Sequence, residues 1–442
     1  MEIANVLRGE GYDVLMSNVY YLLRGQNRRR SQNVTTTDVE SVCKELESSS
    51  RLIVRRTVDV VNMRVLATNA EMIRLIGGAR TLHVDCTFKL IDISYPIIVI
   101  GFTDNTGCFF LTCLGIIYGE SADAYSWCFK QLIEICAEHA VVLRPSAIVG
   151  DGASAITSAV SAQFPGCLRI NCWAHVFRNI ELIVRALPVG VKASILSDFK
   201  FVQEACTLEM FNAARVLFVE KWSQVRIVEA KLALIIARHL THDASWYEGY
   251  AIFSPSTNNA LERFNLTLKR TYSDRQRLSV TEYIRRIREI LENETLKLKT
   301  KPPCLDRMAY GSPDVLNTEG LEVEELDSTF DAVRYIVYRA SKCPTSRLSE
   351  IRIAICQMQF ESLSAMQDAF DNVHVVHCKR DLNCHRDLFC SCIAFVKHKA
   401  CADIATVLNQ LHKSHLIRRI LLSARRRPGR PRRGFSGALS RD

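Results

Sequence analysis

The sequence predicts an α/β fold on three observations. Leu82, Val84 and Phe88 punctuate an alternating, strand-like run over 81–89. Two further apolar runs follow at 95–103 and 108–118, separated by the turn formers Asp104, Asn105, Thr106 and Gly107, so that 81–118 reads as a three-strand meander. Helical periodicity then takes over. Tyr125, Cys128, Phe129, Leu132, Ile133 and Cys136 recur at helical spacing over 122–139, a short strand over 147–149 ends at Gly150 and Asp151, a helix follows over 153–163, and another strand-like piece spans 167–172. From there the pattern is helical as far as Glu262. The expected order is βββαβαβ followed by helices.

Three carboxylates stand out against this order: Asp85 in LHVDCTFKL, Asp151 in SAIVGDGASAI and Glu262 in STNNALERFN. Asp85 interrupts a strand, Asp151 ends one, and Glu262 sits on an amphipathic helix whose Leu261, Phe264 and Leu268 face inward. Each has a bland reading alone: a solvated strand-end carboxylate, a helix N-cap, and a surface position beside Arg263. Together they read as a dispersed Asp/Asp/Glu metal site, because carboxylates are the hard oxygen ligands that hold Mg²⁺ or Mn²⁺.

The words DCTFKL, YPIIVIGFTDNTGCFF, AIVGDGASAITSAV, CWAHVFRNI and STNNALERFNLTLKR occur in this order over about residues 82–270. They resemble a Mutator-like element (MULE) transposase. The resemblance implies a ribonuclease-H-like catalytic core with a helical insertion at about 176–250. It also implies a DDE-type DNA transposase, located in the nucleus, in which Asp85, Asp151 and Glu262 are the catalytic metal ligands, with Asp85 bridging. Such an enzyme cleaves and joins phosphodiesters at element ends. The pair Cys172 and His175 is a secondary metal candidate. A thiolate and an imidazole suit zinc, although two ligands do not complete a tetrahedral site, and a buried cysteine beside a satisfied histidine explains the pair equally well. The cationic stretch 269–301, with Arg270, Arg275, Arg277, Arg285, Arg286 and Arg288, reads either as phosphate contact or, given Glu282, Glu289 and Glu292, as a solvated helix face.

A second constellation lies at 374–403, where Cys378, Cys384, Cys390, Cys392 and Cys401 accompany His374, His377, His385 and His398. Cys390-Ser391-Cys392 with Cys401-Ala402-Asp403 resembles a SWIM zinc finger, CxC followed by CxH, with Asp403 at the position of the histidine. Zinc accepts a carboxylate oxygen, so Cys390, Cys392, Cys401 and Asp403 form the candidate set, and His398 or Cys384 is an alternative fourth ligand. An odd total of 17 cysteines argues against a disulfide framework, and simple packing of reduced thiols is the competing reading. Residues 412–433 hold nine Lys or Arg and no acid. Within them Arg427, Gly429, Arg430, Pro431 and Arg432 resemble an AT-hook, whose proline-fixed backbone lays arginines along a narrow A·T minor groove. A basic tail that serves as a nuclear import signal is the alternative. Residues 3–24 carry two apolar-periodic stretches around Gly9 and Gly11 and read as a helix-turn-helix or a helical cap.

At 442 residues, two to four units are expected. We expect a helical N-terminal region (1–75), a core with its insertion (76–300), a linker and helical region (301–370), a small α+β zinc module (371–412) and a basic tail (413–442). The excess of 57 Lys and Arg over 47 Asp and Glu, a net +10, favours a polyanionic partner. No apolar run reaches the roughly 18 residues of a membrane helix, so a soluble protein is expected. DNA, AT-rich in preference, and a second copy of the chain are the expected partners, with Mg²⁺ or Mn²⁺ and Zn²⁺ as cofactors. The competing function is a transposase-derived zinc- and DNA-binding protein without catalysis, which the odd Asp403 favours and the complete set of carboxylates disfavours.

Overall fold

A computed structural model describes residues 34–49, 51–59, 62–104, 106–241, 244–273, 276–305, 318–413 and 416, without the side chains of Ser49, His385, Lys397 and His398. The candidate helix-turn-helix at 3–24 and the AT-hook-like stretch at 427–432 lie outside the described residues. Helix α1 (Thr36–Ser49) precedes a hairpin of β1 (Leu52–Thr57) and β2 (Arg64–Asn69). A short helix, α2 (Ala70–Ile76), leads into the meander β3 (Thr81–Thr87), β4 (Ile97–Thr103) and β5 (Phe109–Ile117). Helix α3 (Ala122–Glu138), β6 (Ala147–Gly150), α4 (Ser154–Gln163) and β7 (Leu168–Asn171) complete an α/β core.

The seven strands are ordered β1-β2-β5-β4-β3-β6-β7, with β6 and β7 parallel to β3 and the other pairs antiparallel. Alternation along the strands supplies both faces of this sheet. Ile98, Ile100 and Phe102 of β4 join the cluster formed with α2, α3 and α4, while Ile97 and Val99 join the opposite cluster with α1. The register of β4 on β5 slips between Ile100 and Gly101, and a Cβ at Gly101 would stand 2.3 Å from the Phe110 carbonyl oxygen, so the bulge requires glycine.

The expected βββαβαβ order is present over 81–171, with strand ends shifted by at most two residues. The region before it is corrected: 1–75 was expected to be helical, yet β1 and β2 lie within it. The pattern is hidden in β1 because Arg55 and Arg56 interrupt the apolar run and are held instead by ion pairs to Glu138 and to Glu40 and Glu47.

Helices α5 (Trp173–Val184), α6 (Val189–Gln203), α7 (Leu208–Ser223) and α8 (Glu229–His239) follow the core strands. Then α9 (Asn259–Thr267) runs through a single π turn at Leu268–Tyr272, and α10 (Val280–Thr300) begins at a capping box of Ser279 and Glu282. The chain divides into two compact units, Met1–Asn179 with Ser254–Leu305 and Ile180–Phe253 with Asp306–Asp442.

In the second unit β8 (Glu322–Ser328) and β9 (Ala332–Tyr338) precede α11 (Thr345–Gln357) and α12 (Leu363–Asn372). Strands β10 (Val373–Lys379) and β11 (Leu388–Cys390) then lead to α13 (Ile393–His398) and α14 (Ala402–Gln410). The four strands form an antiparallel sheet ordered β11-β10-β9-β8. This corrects the linker and helical reading of 301–370. The acidic EVEELDS reads as a linker by composition, but it is an edge strand that buries Leu326 and leaves Glu322 and Glu325 in solvent, where charge guards an open edge. The helices of 180–253 share this unit, with Lys399 Nζ 3.1 Å from Glu248 Oε2. Among the described residues no helix is long and apolar enough to cross a membrane, and all 17 cysteines are free.

Candidate active site and cysteine cluster

Parallel pairing sets Leu82 level with Ile148 and His83 level with Val149. Asp85 and Asp151 each lie two residues beyond the last of these pairs, Asp85 within β3 and Asp151 just after β6. Asp151 stands just past the end of β6, where its Oδ1 accepts the Ala153 N–H at 3.0 Å and turns the chain into α4. Helix α9 brings Glu262, and Asn265, three residues on and so on the same face, donates Nδ2 to Asp85 Oδ2 at 2.8 Å. Burial, then the charges of Asp151 and Glu262, push the Asp85 carboxyl up to about 7. Asp151 and Glu262 thus both act on Asp85, although the three carboxylates do not form a group whose ligand atoms all lie within 4.8 Å of one another.

Glu262 is half-buried. Its Oε1 lies 3.5 Å from His175 Nε2 and its Oε2 3.8 Å from Arg178 Nη2, both on α5. Glu262 Oε1 and Asn265 Oδ1 are buried with no hydrogen-bond partner among the described residues. A carboxyl penalised by burial and like charge, beside buried oxygens that lack donors, fits a hard divalent cation held by oxygen ligands.

Asn258, just before α9, fixes where Glu262 stands. Its Nδ2 donates to the Val84 carbonyl at 3.0 Å, so its Oδ1 accepts from His83 Nδ1 at 2.7 Å. His83 Nε2 then takes the Thr103 hydroxyl at 2.9 Å. Burial lowers the His83 pKa to about 4, which keeps the ring neutral and the tautomer single. The Asn258 backbone N–H donates to Cys172 Sγ at 3.1 Å, and the Trp173 N–H donates to the Ser256 carbonyl at 2.8 Å. The turn before α9 is thereby tied to β3 and to the residues following β7. Sequence reasoning missed His83, Asn258 and Asn265. The spacing 258, 262, 265 was the available signal, since it puts three polar residues on one helix face.

Residues 81–179 match the family model of the MULE transposase domain. The chain carries a MULE transposase domain. The matched segment of this domain holds Asp85, Asp151, Cys172 and His175, and Glu262 lies beyond it. No curated protein matches the chain.

Cys172 and His175, inside the matched transposase segment, and Glu262, beyond it, offer ligand atoms that all lie within 4.8 Å of one another. Lys269, in the π turn after α9, has its pKa lowered by burial while Asp85 acts against that fall, which places its ammonium in the field of the carboxylates. The arginines farther along are mostly paired, Arg285 with Glu45, Arg286 with Glu289 and Arg288 with Glu292, which favours a solvated face for that part of 269–301.

In the second unit Cys390 ends β11, Cys392 and Cys401 precede α13 and α14, and Asp403 lies in the first turn of α14. These four residues are buried, and their ligand atoms lie within 4.8 Å of one another, close enough to hold one ion. Cys384 does not join them, and the His398 side chain lies outside the described residues. Hydrogen bonds from Cys390 and Cys401 hold the Cys392 thiol below its ordinary range, while burial pushes those two up. Three sulfurs and an oxygen suit zinc. Sequence reasoning counted His374 without giving it a partner: from β10 its Nδ1 stands 3.1 Å from Asp403 Oδ2. Burial, the largest single influence, opposes charge on both, yet their hydrogen bond and mutual attraction, with smaller contributions from the neighbouring cysteines, together outweigh it, raising the pKa of His374 and lowering that of Asp403.

Proposed function

We propose that the chain is a DDE-type DNA transposase that cleaves and joins DNA phosphodiesters at element ends through Asp85, Asp151 and Glu262. The observation that carries this reading is the Asp85 carboxyl, bonded from the helix of Glu262 and raised to about 7 by burial and by the charges of Asp151 and Glu262. A meander of three antiparallel strands followed by two strands parallel to the first supports a ribonuclease-H-like core.

Divalent cations bound by the three carboxylates would activate the attacking oxygen and stabilise the leaving one. The chain's own part is positional. Asn265 holds one Asp85 oxygen, the Asn258 and His83 pair fixes the start of α9, and Lys269 offers a cation to a phosphate entering beside Asp85. In the second unit Cys390, Cys392, Cys401 and Asp403 hold zinc as a SWIM-like finger, with His374 orienting Asp403. The basic tail supplies an AT-hook for AT-rich DNA, the protein works in the nucleus, and a second copy assembles with the first on paired element ends.

The test is Mn²⁺-dependent nicking of DNA that carries the gene's own flanking sequence, by wild type and Asp151→Asn. The expected result is nicking by the wild type that falls by roughly 100-fold or more in the variant. Binding without cleavage by either protein refutes the nuclease and leaves the transposase-derived zinc- and DNA-binding protein.

A further inference from the structure

We infer that Cys172, His175 and Glu262 form a zinc site that borrows its carboxylate from the nuclease site, so that zinc and the Mg²⁺- or Mn²⁺-dependent reaction compete for Glu262. The site stands on its own geometry; the competition rests on the proposed function. One sulfur, one imidazole nitrogen and one carboxylate oxygen lie within 4.8 Å of one another. The 3.5 Å between His175 Nε2 and Glu262 Oε1 is close to the roughly 3.4 Å edge of a tetrahedron with metal bonds of about 2.0–2.1 Å. Two polar atoms of the group, His175 Nδ1 and Glu262 Oε1, are buried with no hydrogen-bond partner among the described residues.

Thiolate, imidazole and carboxylate together select a borderline ion such as zinc over Mg²⁺, and three protein ligands leave a fourth position open. The ligands sit on fixed frames. Cys172 follows β7, His175 lies one turn on in α5, and Cys172 Sγ accepts the N–H of Asn258, whose carbonyl in turn receives the Glu262 N–H at 2.8 Å. The same turn thus aims Glu262 at both sites. Arg178, 3.8 Å from Glu262 Oε2, holds the oxygen that His175 does not face. A carboxylate captured by zinc on the Cys172 side is lost to Asp85 and Asp151, and nicking falls.

The test titrates the zinc-stripped full-length chain with Co²⁺, whose charge-transfer absorption reports thiolate ligation. Cys172→Ser is expected to lose one equivalent, Cys390→Ser to lose a different one, and Glu262→Gln to weaken the Cys172 site by roughly tenfold or more. His175→Ala repeats the loss should Cys172→Ser fail to fold. Unchanged uptake and spectrum in the folded variants overturn the site. In parallel, Zn²⁺ is added to the Mn²⁺-dependent nicking reaction, each protein scaled to its own zinc-free rate. Cys172→Ser is expected to require at least about tenfold more zinc for half inhibition, and equal inhibition overturns the competition. A wild type that nicks nothing refutes the nuclease, while the cobalt titration still decides the site.

Discussion

Asp85 holds a proton that its unfolded counterpart would have released. Its carboxyl titrates at about 7 in the fold against 3.8 in the free chain, so stability falls as pH rises through that window and is flat below it. Asp85→Asn is therefore expected to stabilise the first unit in EDTA by on the order of 2–4 kcal/mol at pH 8 and by little near pH 4. Denaturant melts at the two pH values check this, and an equal difference at both would contradict the assigned field. The same proton must leave before a cation binds, so the apparent Mn²⁺ affinity is expected to rise steeply up to about pH 7 and level off above it, read by calorimetry. The sequence singles out the three acids as candidates because each sits in a distinctive word. Asn265 and His83 were not, because an Asn on a helix and a His in a strand acquire a role only when a distant segment arrives beside them.

At the scale of the element, α9 is the part on which the site depends. His83 is wholly buried and satisfies Asn258 Oδ1 and the Thr103 hydroxyl, so His83→Ala leaves a cavity and two unpaired groups. The expected cost is about 2–4 kcal/mol of unfolding free energy, with nicking lost in kcat rather than in DNA affinity. A variant of wild-type stability would show that this network does not hold α9. His83 also runs opposite to Asp85 in pH: its pKa of about 4 lies below the free value of 6.5, so its contribution is lost as pH falls through that range. The meander was legible because a strand-like run and two apolar runs follow one another there, with the turn formers Asp104 to Gly107 between the last two. Strands β1 and β8 were not, since arginines break the first and acids load the second, and only pairing to β2 and β9 identifies them as strands.

Over the whole molecule, the two units separate the candidate nuclease from the cysteine cluster. Cys390→Ser is expected to remove one zinc and to destabilise the second unit by several kcal/mol while the melting of the first unit is unmoved, followed by mass spectrometry and domain-resolved hydrogen exchange. A net charge of +10 with nine cations in 412–433 makes DNA affinity strongly salt-dependent. Removal of 412–442 is expected to make the slope of log affinity against log salt shallower by several units, and an unchanged slope would place the DNA contact elsewhere. The measurement that bears most directly on the central claim is a metal switch at Asp151. Asp151→Cys replaces a hard oxygen donor with a soft sulfur, so nicking is expected to vanish in Mg²⁺ and to return in part in Mn²⁺ or Cd²⁺. Wild-type nicking by this variant in Mg²⁺, or a folded variant that no metal revives, would contradict ligation of the catalytic ion by Asp151.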